Sequence, residues 1–192
     1  MKRRVLFITL LISFAFSIFG CSKDTGEKYT IGQLGPAGGL VFFDKGQASN
    51  GWRYLEAAPV STEFKATGWA AESNDMPETG LGVGSGKSNT DILVKLLEGR
   101  RETDKAAQLC AGLNFGGFSD WFLPSDGELK LMYENLHQKG LGDFDDIYWS
   151  SSRAGARGTA NVSVWHMHFS NGLIHNYPMP ETATSARAVR AF

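Results

Sequence analysis

The chain opens with Met1-Lys2-Arg3-Arg4 and runs through fifteen uncharged residues, Val5 to Phe19, into Gly20-Cys21-Ser22. An apolar run of that length falls short of the ~20 residues that a helix needs to cross a bilayer. A basic start, a short apolar stretch and a small residue at the boundary read instead as an export signal, residues 1–20, absent from the working protein. What remains, 192 residues less 20, is 172 residues that must fold outside the cytoplasm. That length suits one domain with a sizeable core and leaves no room for a second. Of the two cysteines, Cys21 lies at the boundary and Cys110 stands alone, so no internal disulfide is available and stability has to come from packing.

Ile18-Phe19-Gly20-Cys21 resembles a bacterial lipobox, although Phe19 is bulkier than the usual residue there. The resemblance implies cleavage before Cys21 and lipid attachment to its sulfur and new N-terminus. Several acyl chains, each contributing ~0.8 kcal/mol per buried methylene, would hold the protein on a membrane with its globular part in water. Residues 21–28 then form the lipidated cysteine and a short charged tether, and residues 29–192 the domain. Without Lys2, Arg3 and Arg4 the remaining chain carries 16 basic residues (19 less three) against 20 acidic ones. A formal charge of −4 speaks against a broad nucleic-acid footprint, so no nucleic-acid partner is expected.

Within the domain, hydrophobic patterning predicts a mixture of strands and helices. Leu40 to Phe43 and Trp52 to Ala57 read as strands, with a long loop from Pro59 to Gly86 after them. Asn89 or Thr90 is the expected cap of a helix striped by Ile92, Leu93, Leu96 and Leu97. A second helix carries Ala106, Leu109, Cys110 and Leu113 at helical spacing, which makes Cys110 a buried structural thiol rather than a nucleophile. Trp121 to Leu123 reads as a strand; Ser125 and Glu128 then form a capping box ahead of Leu129, Met132, Tyr133 and Leu136. Ile147 to Ser152 and Val162 to Phe169 are further strands, and Asn171-Gly172 predicts a two-residue hairpin turn pairing Phe169 with Ile174 and His168 with His175. Trp165, Met167 and Phe169 would face the core, with His166, His168 and His175 on the opposite face. Ala186 to Phe192 supplies one closing strand, and the class is α+β. Residues three apart on a strand point to opposite faces, so of Arg187 and Arg190 one is expected buried against a carboxylate and the other near solvent.

Several motifs invite a chemical reading. Gly82-Val83-Gly84-Ser85-Gly86-Lys87-Ser88 mimics a phosphate-binding loop, but the register places Leu81 where a glycine is required. His166, His168 and His175 suit zinc in type, yet no acidic fourth ligand lies at an obvious spacing, and no metal or other cofactor is assigned. Asp143, Asp145 and Asp146 offer oxygen ligands without the EF-hand spacing, and a solvated loop accounts for them equally. Ser150, Ser151 and Ser152 do not sit in a Gly-x-Ser-x-Gly elbow, so no catalytic residue is expected. The tryptophans Trp52, Trp69, Trp121, Trp149 and Trp165 read as core anchors.

Several ordered segments together resemble a known family: Gly35-Pro36-Ala37-Gly38-Gly39-Leu40-Val41-Phe42, Gly51-Trp52-Arg53-Tyr54-Leu55-Glu56-Ala57-Ala58-Pro59, Asp120-Trp121-Phe122-Leu123-Pro124-Ser125, Tyr148-Trp149-Ser150-Ser151-Ser152 and Arg187-Ala188-Val189-Arg190-Ala191-Phe192. They resemble the C-terminal domain of the Legionella collagen-like protein, over about residues 29–192. The resemblance implies a C-type-lectin-like fold, a mixed antiparallel sheet with about three helices. It also implies an adhesin-like role on the bacterial envelope, in the outer membrane or at the cell surface, binding a glycan or protein partner. Formylglycine-generating enzymes share that fold, but their cysteine pair is missing here, and the calcium-lectin triplets Glu-Pro-Asn and Gln-Pro-Asp are absent too. The alternatives are a purely structural envelope lipoprotein and an oxidative enzyme. The expected exposed binding surface comprises Arg153, Arg157, Asn161, His166, His168, His175 and Tyr177. The lipid anchor carries a direct prediction. Cys21→Ala should move the protein from the membrane to the soluble fraction, and a variant that sediments with membranes as wild type does would refute the anchor.

Overall fold

A computed structural model of the chain describes residues 26–71, 76–144, 147–155, 163–178 and 184–192. Cys21 and the leader therefore lie outside the described residues, as do Asp145 and Asp146. The class is α+β: the described residues form eight strands, β1 (Leu40–Ser49), β2 (Trp52–Ala57), β3 (Phe64–Thr67), β4 (Ile147–Ala154), β5 (Ser163–His168), β6 (Leu173–Pro178), β7 (Thr184–Ala186) and β8 (Val189–Ala191), and three α-helices, α1 (Gly86–Gly99), α2 (Ala106–Ala111) and α3 (Asp126–Asn135). Among the described residues no helix is long and apolar enough to cross a membrane.

The strands form two sheets, ordered β1-β2-β8 and β3-β7-β4-β5-β6. In the first, β1 and β2 are joined through Asn50 and Gly51, both at positive φ (53° and 82°), the backbone a tight two-residue hairpin requires. The second is antiparallel except where β4 and β7 run parallel at Tyr148 and Ser185. Strand β4 is buried along almost its whole length, and its alternate residues serve different cores. Trp149 joins Trp69, Leu93, Leu97, Cys110 and Trp121, whereas Tyr148 joins Phe42, Leu55, Phe122, Leu129, Met132 and Phe169.

The structure revises several expectations. The stretch from Pro59 to Gly86 is no uninterrupted loop, because β3 lies within it. Helix α1 starts four or five residues earlier than expected, after Ser85; Asn89 and Thr90 are inside it, with buried side chains that bind other segments. Asn89 holds both backbone groups of Gly80, and the Thr90 hydroxyl accepts the Leu123 N–H (3.0 Å). Ile92 is 40 % exposed and leaves the stripe to Leu93 and Leu97. Of Trp121 to Leu123 only Phe122 makes a strand-like bridge, to Val189. Trp69, Trp121 and Trp149 are core anchors, while Trp52 and Trp165 are only half-buried. The Ser125–Glu128 capping box is present as expected.

The hairpin after β5 forms in a different register: His166 pairs with His175, Met167 with Ile174 and His168 with Leu173, leaving four residues, Phe169 to Gly172, in the turn. The reason is Phe169. Its fully buried ring sits among Tyr133, His137, Phe144 and Tyr148, with ring centres 4.8 to 5.6 Å away, and that burial draws it off the strand. A slip of two residues preserves strand parity, so the three histidines still share a face.

The closing segment is two strands, not one. Strand β7 belongs to the five-stranded sheet and β8 to the three-stranded one, with Arg187 and Ala188 crossing between them. Arg187 therefore escapes strand alternation, and both arginines are buried, at 1 % and 7 % exposure, which corrects the expectation of one near solvent. Arg187 Nε donates to Glu63 Oε2 (2.8 Å), and Nη2 reaches the same oxygen. Its Nη1 donates to the carbonyls of Ala58 (3.2 Å) and Gly142 (3.0 Å). Arg190 Nη1 donates to Glu56 (3.0 Å) and its Nε to Asp120 (2.5 Å), over the face of Phe118.

Removing one member of a buried ion pair costs about 3–5 kcal/mol, because the partner charge is left in a poorly solvating interior. Arg187→Ala should therefore lower stability in urea unfolding by about 3–5 kcal/mol. Arg53→Ala, which breaks a pair with Asp44 at the surface, should cost under about 1 kcal/mol. Similar losses at both positions would contradict the assignment.

Candidate ligand-binding face

Of the expected surface residues, His166, His168 and His175 meet on one side of the β4-β5-β6 segment, arranged from core to solvent. In register across the strands stand Trp149, His166 and His175. Trp149 is 1 % and His166 2 % exposed, His168 is half-buried and His175 is exposed. Trp149 meets the His166 ring edge-on, with centres 5.8 Å apart. The His168 ring centre lies 5.1 Å from those of both His166 and His175, and His166 and His175 are 6.0 Å apart. Nε2 of His166 and Nε2 of His168 face each other at 3.2 Å. Burial, reinforced by the two neighbouring imidazoles, pushes the His166 pKa down to about 4, so its ring is neutral at physiological pH.

Two members of the expected surface are thus not surface residues. His166 sits on the inner part of the face, next to Trp149, and Arg153 is 5 % exposed, at the end of β4 opposite Val164. The Arg153 N–H donates to Thr79 Oγ1 (2.7 Å), so this stretch of β4 is covered by the segment leading to α1. Arg157 and Asn161 lie outside the described residues, as does the side chain of Tyr177. What the structure brings together is His166, His168 and His175. Among the described residues, no three His, Cys, Asp or Glu side chains form a converged metal-ion site.

The serines and the glycine-rich run turn out to be one structural device. Ser150 Oγ donates to Trp165 O (2.8 Å), Ser152 Oγ donates to Gly80 O (2.8 Å), and Ser151 Oγ accepts from Asn89 (3.2 Å). The N–H groups of Gly84 (2.8 Å) and Gly86 (3.3 Å), where a phosphate would sit in a nucleotide site, donate to Glu128 Oε1. The other oxygen of Glu128 accepts the Ser125 N–H (2.8 Å). A single carboxylate thereby caps both α1 and α3. Burial raises its pKa, and the backbone donors pull it back. A Cβ at position 86 would collide with this carboxylate and with Phe122, so only glycine fits. Cys110 is fully buried, and burial pushes its thiol pKa up.

A groove of about 230 Å³ runs between Leu34, Leu40, Ala57, Pro59, Val60 and Phe144, with Arg187 beneath. Leu34 and Val60 are 61 % and 41 % exposed. Its walls come from three distant segments, and the only local signal was an isolated Leu34 amid turn residues.

No family profile matches the chain, and no curated protein matches it. Among solved structures it is similar to a fimbrial protein from Bacteroides ovatus, at 12 % identity and a TM-score of 0.44, over 74 % of this chain and 36 % of that one. The chain thus spans about a third of the length of that protein.

The glycine-rich run predicts two contrasting substitutions. Glu128→Ala strands three backbone donors and should cost about 3 kcal/mol or more in urea unfolding. Lys87→Ala, which loses an exposed pair with Asp91, should cost under about 0.5 kcal/mol. Saturable ATP binding that disappears with Lys87→Ala would overturn this account.

Proposed function

We propose that this is a lipid-anchored bacterial envelope protein whose domain, lectin-like in the manner of the Legionella collagen-like family, binds a glycan or protein partner outside the cell. Three things support the reading: the lipobox-like run ending at Cys21, the ordered family segments, and the outer edge of the five-stranded sheet. The last carries it. Strand β6 is the end strand, so among the described residues its outer backbone edge pairs with no other strand. Leu173, His175 and Asn176 are exposed along it, beside the half-buried His168. An edge strand with an apolar side chain, an amide and imidazoles offers main-chain donors and acceptors together with side-chain contacts that select a ligand.

The test is binding by residues 22–192 to glycan arrays and in pull-downs from envelope and host-surface extracts. A captured ligand should bind at least about tenfold more weakly to a chain with His175→Ala and Asn176→Ala, a loss of about 1.4 kcal/mol, with the melting temperature unchanged. Failure to retain any glycan or protein, or retention indifferent to these changes, would favour the purely structural alternative.

A further inference from the structure

The three histidines stand close together, with Nε2 of His166 and Nε2 of His168 within hydrogen-bond distance of each other. For nitrogen ligands about 2.0–2.1 Å from a metal at near-tetrahedral angles, two bound nitrogens stand about 3.3 Å apart and their ring centres about 5 Å apart. Nε2 of His166 and Nε2 of His168 are 3.2 Å apart, with ring centres at 5.1 Å. The His175 ring centre is also 5.1 Å from that of His168 and 6.0 Å from that of His166. Two nitrogens thus already converge, while the third ring lies at that range from His168 but farther, at 6.0 Å, from His166, so the three do not converge as they stand. The third ring needs only rotation about its own side-chain bonds, which an exposed residue at the hairpin edge is free to make.

We infer that His166, His168 and His175 form a binding site for a divalent transition metal of the imidazole-preferring class, zinc foremost, with water in the fourth position. Spacing explains why a hairpin builds it. Residues 166 and 168 lie on one face two apart, and residue 175 is the cross-strand partner of 166, so one face of two strands delivers three rings without help from a loop. The inner ligand is held by the edge of Trp149, which limits the ring's freedom before any ion arrives. The three nitrogens bring no negative charge, which suits zinc or copper and does not suit calcium or magnesium. The site stands independently of the partner-binding reading, since it needs only this chain.

The test is titration of zinc into the purified full chain after treatment with a chelator, followed by calorimetry and by the histidine ring signals in NMR. A single ion per chain is expected, shifting the ring signals of His166, His168 and His175 while leaving those of His137, the remaining histidine, unmoved. His168→Ala and His175→Ala change side chains that are not fully buried, and each should fold as wild type by circular dichroism. Each should also weaken zinc binding by about tenfold or more, whereas His137→Ala should not. No binding at about 0.1 mM zinc, or unchanged affinity in either the His168 or the His175 variant, would overturn the three-ligand site. Because no glycan or protein partner takes part, failure here leaves the partner-binding reading untouched, and success does not establish it.

Discussion

The fold depends first on the buried pair between Arg187 and Glu63. The two residues are 1 % and 0 % exposed at the side chain and 124 positions apart in the chain. Around this guanidinium gather the carbonyl at the end of β2, the carbonyls of Gly142 and Asp143 before β4, and the ring of Phe144. The Tyr148 hydroxyl of β4 donates to the same Glu63 oxygen (2.5 Å). Its position is the crossing between the sheets, where a bare polypeptide would leave backbone carbonyls unpaired. Arginine suits this place because its planar fork presents several donors at fixed angles; lysine would bring the same charge to one point.

Buried carboxylates recur as organisers of glycine-rich backbone. Glu128 gathers N–H groups from Gly84, Gly86 and Ser125. Glu56, fully buried on β2, accepts from Gly39 (3.0 Å) and Ala37 (3.4 Å) as well as from Arg190. In both cases burial raises the carboxyl pKa, and hydrogen bonds oppose the rise. These turns lack side chains of their own to pack, and a carboxylate with two oxygens supplies what regular secondary structure would otherwise provide. A glycine-rich run before a helix thus reads as a phosphate loop by composition, while the protein already holds the anion it was built around.

What the sequence made legible was local. The Ser125–Glu128 box, the strand from Trp52 to Ala57 and the shared face of the histidines all follow from spacing within a few residues. The two Asn-Gly pairs show the limit. Asn50-Gly51 forms a tight two-residue turn, whereas Asn171-Gly172 ends a four-residue turn because the distant rings around Phe169 outweigh the local preference. Ser85, not Asn89, holds the N-cap position of α1 without a capping bond from its side chain, since Glu128 binds the Gly86 N–H from forty-two residues away. The burial of Arg153 and His166 and the groove at Leu34 and Val60 arise from neighbours that no window along the chain contains.

The short crossing from β7 to β8 has a consequence for how the chain comes to be folded. One strand of each sheet lies within residues 184–191, and the Arg190–Glu56 contact spans 134 positions. A polypeptide emerging N-terminus first, from a ribosome or across a membrane, can form the β1-β2 hairpin and the helices early. It holds both sheets incomplete, and two buried glutamates without their cations, until this segment arrives. Contacts of such separation are costly in chain entropy and form late. Completion of both sheets therefore waits on one short segment, residues 184–191, however much of the preceding chain has already folded.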